Sequence, residues 1–285
     1  MHVLIAGGTG VLGRRIIPLL IGAGHRVTAL TRTTEGGASL LAAGAEPALA
    51  DVYDAEALTR AVRVASPDVV MHQLTDLSRG DTAANARIRV VGTRNLVDAA
   101  RQAGVPRIVA QSIAWVYEPG ERPAAESVPL DLTAPEPRRT SVGGVRALET
   151  AVRELPEWVI LRYGALYGPG TWYAPDGMMA DRARGGGLTA GADVTSFVHA
   201  DDAAEAAVRA LTWPSAAVNI CDDEPAPADD WAPVFAAAVG ASPPAPGNAE
   251  RQGWARGADN SHAREALGWT PRHPSWREGF AALTP

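Results

Sequence analysis

Short apolar runs alternate along the first half of the chain with segments in which apolar residues recur every three or four positions. The runs with strand character cover residues 2–7, 26–31, 46–51, 68–74, 107–112 and 158–163. The segments with helical spacing cover residues 11–23, 38–43, 55–64, 82–103 and 141–154. Because the strand-like runs are apolar on both faces, the sheet is expected to be covered on both sides. The pattern therefore predicts an α/β protein built on a doubly wound parallel sheet.

The amino-acid composition changes after residue 163, where glycine, proline and tryptophan become frequent. We predict a main domain over residues 1–162 and a smaller C-terminal lobe formed by residues 163–191 and 212–285. The stretch "SFVHADDAAEAAVRAL" at 196–211 has the spacing of a piece that rejoins the main sheet, so a returning segment is predicted near 192–211.

Composition narrows the class of protein. The formal net charge is −6, and the sequence has no lysine, so all 26 cationic side chains are arginine. Without a basic cluster, nucleic acid is not an expected partner, and without lysine no Schiff base can form. Cys221 is the single cysteine, which excludes an internal disulfide and favours a cytoplasmic location. No secretion signal, membrane-spanning run or metal-ligand spacing is found, so we expect neither membrane binding nor a metal.

A glycine-rich turn, "IAGGTGVLGRR", follows the first strand and opens the first helix. Glycines at positions 7, 10 and 13 suit a tight turn, a close approach of the backbone to a pyrophosphate, and close packing of the helix on the strand. The free N–H groups at the start of the helix complete an anion-binding site. The turn residues predicted to contact a dinucleotide are Gly7, Thr9, Gly10, Val11, Leu12 and Gly13.

The ends of the second and third strands bear on the choice of dinucleotide. Arg32 occupies the place where NAD-binding proteins tend to have an acidic residue, and a guanidinium suits a 2′-phosphate. The sequence therefore favours NADP(H), with NAD(H) as the alternative. Asp51, followed by Val52, ends the third strand and is predicted to accept from the adenine amino group. The alternative is that Asp51 caps the helix after it.

Taken together, these motifs resemble the extended short-chain dehydrogenase/reductase superfamily, of the NAD-dependent epimerase/dehydratase type. The matching segments are "GGTGVLG" (7–13), "GTRNLVDAARQAGVPRIVAQS" (92–112), "VYE" (116–118), "LRYGALYGPGT" (161–171), "FVHADDAAEA" (197–206), "NICDDEP" (219–225) and "REALGWTP" (264–271). The resemblance implies a Rossmann domain that binds the dinucleotide and a C-terminal lobe that binds a small-molecule substrate. It also places "HQL" (72–74) beside the nicotinamide ribose, which adds Gln73 and Leu74 to the expected cofactor contacts.

The chain departs from this family at its catalytic residues. The family uses a Ser or Thr together with a Tyr and a Lys spaced YxxxK on a helix, and the tyrosine transfers a proton while hydride moves at the nicotinamide. In "SVGGVRALE" (141–149) the two possible registers give Ser141 with Val145, or Val142 with Arg146. Neither register restores the pair. The third position is Ile113, with Ser112 one residue earlier.

Other side chains are candidates for the missing chemistry. Arg146 is expected to bind the ribose or polarise a substrate, and Ser141 and Ser112 to orient a water or a substrate oxygen. Tyr117 and Tyr163 are the phenols expected to face the substrate. The alternatives are that both tyrosines are packing residues with satisfied hydroxyls, and that Arg146 is a surface cation paired with Glu149.

The leading functional hypothesis is an NADP(H)-binding oxidoreductase with atypical acid/base residues, acting on a small carbonyl or alcohol. A set of residues in segments that the fold is expected to place around the cleft suits an aromatic or hydrophobic ligand, with core filling as the alternative: Trp115, Trp172, Tyr173, Met178 and Met179. Two further hypotheses are a non-redox isomerase, lyase or cyclase on the same scaffold, and a non-catalytic NADP(H) sensor. The family often pairs subunits through the helices at 82–103 and 141–154, which implies a homodimer.

Overall fold

A computed structural model describes residues 1–77 and 80–283. Its strands are β1 (His2–Ala6), β2 (Arg26–Thr31), β3 (Glu46–Leu49), β4 (Val69–His72), β5 (Arg107–Ile113), β6 (Glu157–Tyr163), β7 (Ala165–Tyr167), β8 (Thr189–Ala190), β9 (Val194–Thr195), β10 (Phe197–His199), β11 (Ala216–Ile220), β12 (Ala226–Pro227) and β13 (Ala245–Pro246). Seven of them form one sheet in the order β11-β6-β5-β4-β1-β2-β3. The pairs from β5 to β3 are parallel. The predicted α/β fold with a doubly wound sheet is confirmed.

The helices alternate with these strands. They are α1 (Gly13–Gly22), α2 (Thr34–Ala42), α3 (Ala55–Ala65), α4 (Thr82–Arg87), α5 (Thr93–Gln102), α6 (Arg138–Val152), α7 (Met178–Arg184), α8 (Ala200–Arg209), α9 (Ala228–Ala238) and α10 (Trp276–Ala281). A π-helical turn over Ile88–Gly92 joins α4 to α5, and a second one covers His262–Ala266.

Two helical segments differ from the sequence-based expectation. The second helix begins at Thr34, earlier than the predicted start at residue 38, because the Thr33 side chain caps it by accepting from the Gly36 N–H at 3.0 Å. The segment predicted as one helix over 82–103 contains the π turn. The prediction rested on the spacing of apolar residues. It missed both features because neither the threonine cap nor the π turn changes that spacing.

The first of two compact units contains Met1–Ser112, Leu132–Leu161 and Ala204–Ala217. Its core joins sheet residues such as Leu4, Val70 and Ile108 to helix residues such as Leu58 and Leu148, all of them at most 1% exposed. The uninterrupted apolar strands are explained by this burial, because helices cover both faces of the sheet.

The second compact unit contains Ile113–Asp131, Arg162–Ala203 and Val218–Pro285. An aromatic cluster forms its core, made of Tyr167, Tyr173, Phe197, Trp231, Phe235, Trp276 and Phe280. Within this unit β10 pairs with β7 in parallel. The strand that enters the main sheet is β11, which lies in the range assigned from the sequence to the C-terminal lobe. The predicted domain boundaries themselves stay a prediction.

Gly13 provides a test of how closely α1 approaches the turn before it. A Cβ atom at Gly13 would lie 2.3 Å from the Gly7 carbonyl oxygen, whereas one at Gly22 would meet nothing within 4 Å. We expect Gly13→Ala to lower the free energy of unfolding by about 3 kcal/mol through overpacking. Gly22→Ala should raise it by up to about 1 kcal/mol through helix propensity. Urea unfolding of both variants checks this, and equal effects would contradict it.

Candidate functional site

The glycine-rich turn lies between β1 and α1 in the first unit. Gly7 has φ = +96°, a left-handed conformation that favours glycine, and a Cβ there would lie 2.3 Å from the Gln73 carbonyl oxygen. The Gly10 N–H donates to the Gly7 carbonyl oxygen at 3.1 Å, which closes the turn. The backbone of the turn therefore contacts the end of β4 with no room for a side chain.

The start of α1 faces this turn. Leu12, at the N-cap position, provides no side-chain hydrogen bond to the first turn of the helix. The Arg14 and Arg15 N–H groups donate to the Gly10 and Leu12 carbonyl oxygens, both at 3.0 Å, whereas the Leu12 and Gly13 N–H groups have no backbone acceptor among the described residues and remain for a ligand. A Cβ at Gly10 would meet only the Gly7 oxygen, at 3.3 Å, so the protein leaves its outer side open. Thr9 and Val11 are partly exposed beside it. The local geometry suits a phosphate ligand.

The ends of β2 and β3 are also in the first unit. Arg32 directly follows β2 with an exposed side chain, and it has no hydrogen bond or ion pair within the described residues. Asp51 accepts from the Tyr53 N–H at 3.0 Å. The helix cap proposed as an alternative for Asp51 is wrong, because Asp54 caps α3 by accepting from the Ala57 N–H.

The end of β4 carries several buried polar groups. His72 is fully buried, and its Nε2 lies 2.8 Å from the Thr93 hydroxyl, while its Nδ1 has no partner in the described part of the chain. Burial lowers the pKa of His72 to about 4, so the ring is neutral at pH 7. Both amide atoms of Gln73 are buried without a partner there too, and the Leu74 oxygen accepts from Gln111 at 2.8 Å.

Helix α6 carries the two positions at which the family has tyrosine and lysine. Val142 and Val145 are fully buried, Ser141 is nearly so, and Arg146 is exposed. A Cβ at Gly144 would lie 3.2 Å from the Cα of Ala86 in α4. The small residues of "SVGGV" therefore allow α6 to pack closely against α4.

A buried carboxylate connects α6 to the end of β5. Glu149 accepts from the Ser112 hydroxyl at 2.9 Å, and its second oxygen lies 3.1 Å from Arg153. The proposed pair of Arg146 with Glu149 is wrong, because Glu149 points inward to Ser112 while Arg146 points to solvent. Arg146 has no partner among residues 1–77 and 80–283. Ser112 thus positions α6, and Arg146 is available for a ligand.

Tyr117 lies in the second unit and is 1% exposed. Its hydroxyl donates to the Asn219 Oδ1 atom and accepts from Arg162 at 3.0 Å. Burial raises the pKa of this phenol far above its ordinary value. The buried hydroxyl of Tyr163 donates to the Ala203 carbonyl oxygen at 3.3 Å. These contacts favour the packing alternative for both tyrosines over proton transfer.

The aromatic and methionine residues noted in the second unit divide into two groups. Tyr173 packs in the aromatic core against Phe197 and Phe235, and Met179 packs against that core. Trp115, Trp172 and Met178 are exposed. Tyr173 and Met179 are therefore core residues, as the alternative proposed. Trp115 lies beside Trp254 with the ring centroids 6.4 Å apart, and the exposed Trp172 and Met178 remain candidates for contact with a ligand.

Sequence reasoning missed Arg89, which lies on the π turn in the first unit. Its residue surface is only 5% exposed, and no hydrogen bond or ion pair joins its guanidinium to the part of the chain that the structure describes. The signal that could have identified it is a charge on the buried stripe of a helix, at the spacing of Asn85, Gly92 and Leu96.

Within residues 1–77 and 80–283, no helix has the length and apolar character required to cross a membrane. In the same residues, no three His, Cys, Asp or Glu side chains converge as a group that could hold a metal ion.

Residues 3–221 match the model of the NAD dependent epimerase/dehydratase family, and the chain belongs to that family. It is 44% identical to the 3-diazoavenalumate denitrifying reductase of a Streptomyces species, over 98% of this chain and 99% of that protein. It is 28% identical to the UDP-glucose 4-epimerase of Mycolicibacterium smegmatis, over 95% and 94% of the two chains. The UDP-glucose 4-epimerase of Thermus thermophilus, solved with NAD, superposes with a TM-score of 0.76 at 27% identity, over 99% and 97%.

The family resemblance drawn from the motifs is confirmed by these matches. They also confirm the predicted class, an NAD(P)-dependent oxidoreductase or epimerase-like enzyme. The roles of the individual site residues stay predictions.

The Ser112–Glu149 hydrogen bond gives a prediction about stability. Ser112→Ala removes a donor from a buried carboxylate, so we expect the free energy of unfolding to fall by about 1–3 kcal/mol. Thr150→Ala is the matched control, because Thr150 is an exposed hydroxyl on the same helix. Denaturant unfolding of the two variants is the measurement, and equal stabilities would show that the bond contributes nothing.

Proposed function

We propose that this chain is an NAD(P)H-dependent reductase that removes a diazo group from a small aromatic substrate as N₂. The similarity to a denitrifying reductase that acts on a diazo compound extends over almost the whole of both chains. Within the chain itself, the proposal rests on helix α6, which lacks the family's proton-donating tyrosine and its lysine. The proposed reaction fits that absence.

A nicotinamide dinucleotide fits the polar features of the first unit. The glycine turn and the start of α1 present N–H groups, and the buried amide of Gln73 lacks partners among the described residues, as expected of a group that a ligand completes. The residues proposed to hold the dinucleotide are Gly7, Thr9, Gly10, Val11, Leu12, Gly13, Arg32, Asp51, Val52, Gln73 and Leu74. When bound, the nicotinamide supplies a hydride.

The proton balance separates this reaction from carbonyl reduction. A carbonyl that gains a hydride becomes an alkoxide, which needs a proton from a positioned acid. A diazonium cation, R–N₂⁺, that gains a hydride becomes the neutral diazene R–N=N–H, which then breaks its C–N bond to give R–H and N₂. The hydride transfer and the loss of N₂ need no proton from a positioned acid, and where the substrate carries an ionised ortho hydroxyl, the product phenolate takes its proton from water. A family member without its tyrosine is therefore chemically competent for this step.

Carbonyl reduction, predicted from the sequence, is the second candidate. The observation that favours it is Ser141, which occupies one of the two possible tyrosine positions. Its side chain makes no hydrogen bond within residues 1–77 and 80–283. In this alternative Ser141 orients a water that protonates the alkoxide. Tyr117 is not assigned to that role, because its hydroxyl is buried and already bonded twice.

The test is reduction of 3-diazo-4-hydroxybenzoate, carrying ¹⁵N in its diazo group, by NADPH or NADH. We expect one ¹⁵N₂ released and one phenol product formed per cofactor oxidised. Samples without protein measure the spontaneous reaction. Cofactor oxidation by aromatic ketones but not by the diazo probe would instead establish the carbonyl candidate. Binding without oxidation by either would favour the non-redox or sensor hypothesis.

Arg32 supports NADP(H) as the preferred dinucleotide. We expect Arg32→Ala to lower the ratio of NADP(H) to NAD(H) affinity by about 10- to 100-fold, because a charged hydrogen bond to the 2′-phosphate is lost. Arg60→Ala is the control, since Arg60 is a largely exposed arginine elsewhere on the first unit. Calorimetric titration of both dinucleotides provides the ratio. An unchanged ratio would mean that Arg32 does not select the cofactor.

A further inference from the structure

The π turn between α4 and α5 reverses the usual placement of charged and apolar side chains. Arg89 is 5% exposed, while its neighbours Val90 and Val91 are 45% and 38% exposed. An amphipathic surface helix would place the valines inward and the arginine outward. π turns are found disproportionately at functional sites. The buried Arg89 on this turn is therefore a candidate functional residue.

Among residues 1–77 and 80–283, no counter-charge accompanies the buried guanidinium of Arg89. Burial lowers the pKa of its guanidinium to about 10, so it remains a cation at pH 7. Within the described residues no carboxylate or carbonyl accepts from it. An unpaired buried ion is costly, and proteins retain one where a ligand completes it. The absence of a protein partner therefore points to a ligand with oxygen acceptors.

The surroundings of Arg89 indicate which ligand this is. Its charge acts on His72 and adds to the burial that lowers the pKa of that ring. The unpartnered Nδ1 of His72 and amide of Gln73 belong to the same end of β4. Gln73 in turn contacts the glycine turn, where a Cβ at Gly7 would lie 2.3 Å from its carbonyl oxygen. Three groups that lack partners among the described residues are thus associated with the end of β4, which the glycine turn contacts: the Arg89 guanidinium, the His72 Nδ1 atom and the Gln73 amide.

Helix α6 lacks a buried cation at the position of the family's lysine. The π turn packs against α6, the helix on which the family carries its ribose-binding lysine. Here the two possible lysine positions are Val145, which is fully buried, and Arg146, which is exposed. No cation on α6 is therefore directed into the first unit at either position, and Arg89 is a buried cation on an element packed against that helix.

We propose that Arg89 binds the nicotinamide-side ribose of the dinucleotide and replaces the lysine that α6 lacks. A guanidinium has five N–H donors in one plane, enough to serve two neighbouring hydroxyl oxygens of a ribose. Arg89 is then a cofactor-binding residue. The proposal rests on dinucleotide binding in the proposed function and is independent of the diazo chemistry.

The experiment compares two fragments of the cofactor by calorimetric titration. ADP-ribose contains the nicotinamide-side ribose and ADP lacks it, and both are used with or without the 2′-phosphate, whichever form the wild-type protein binds more tightly. The variants are Arg89→Met and Arg89→Lys, with Arg60→Met as the control at an exposed arginine and Arg146→Met as the test of the rival assignment on α6. We expect Arg89→Met to weaken the binding of ADP-ribose by about 10- to 100-fold and the binding of ADP by less than about twofold. Arg89→Lys should recover part of the loss, and Arg60→Met and Arg146→Met should change neither.

Three results would overturn the proposal. An equal loss of both fragments in Arg89→Met would place the guanidinium on the phosphates. Unchanged affinities for both ADP-ribose and ADP in Arg89→Met would remove Arg89 from the cofactor site. A ratio lowered by Arg146→Met would assign the ribose to Arg146. Because no turnover is measured, failure of diazo reduction cannot be mistaken for failure of this assignment.

A thermal readout distinguishes ligand binding from a structural role. Removing an unpaired buried charge should leave the melting temperature of the ligand-free protein unchanged or raise it, while ADP-ribose stabilises Arg89→Met less than it stabilises the wild type. A fall in the ligand-free melting temperature together with full stabilisation by ADP-ribose would show that Arg89 is structural, and would overturn the proposal.

Discussion

The close approach of three backbone segments is the constraint on which the first unit depends. The glycine turn, the start of α1 and the end of β4 meet with no room for a Cβ atom at Gly7 or Gly13. This contact fixes where the free N–H groups of α1 lie and where β4 ends. It also brings the backbone of Gln73 to the turn, so that the phosphate-binding geometry and a residue with an unpartnered buried amide share one edge of the sheet.

Much of the fold could be predicted because its causes are local. Strands covered on both faces are apolar without interruption, and a dinucleotide turn needs glycines at fixed spacing, so both features are visible in short segments of sequence. The site was less predictable because its contacts depend on distant partners. The hydroxyl of Tyr117 is bonded to Asn219 and Arg162, and nothing near position 117 indicates this. The π turn was missed because one extra residue leaves the apolar spacing almost intact.

The changes at α6 and at the π turn form a consistent set. In α6, Gly144 brings the helix close to Ala86 of α4, and a buried valine, Val142 or Val145 according to the register, stands at one of the family's two catalytic positions on this helix. Ser112 and Glu149 hold the helix to β5 through a buried hydrogen bond. Helix α6 thereby serves packing, while binding is assigned to Arg89 on the neighbouring turn. A scaffold altered in this way suits a reaction that needs an oriented cofactor more than a proton donor.

The π turn has a consequence for how this site tolerates insertions and deletions. A single π turn holds one residue more than the α-helix around it, and each residue of an α-helix advances the direction of a side chain by about 100°. Deletion of one residue between positions 88 and 92 would restore the α register and redirect every side chain before it relative to α5. The register between α4 and α5 therefore depends on the length of the chain across this turn as well as on the residue types in it.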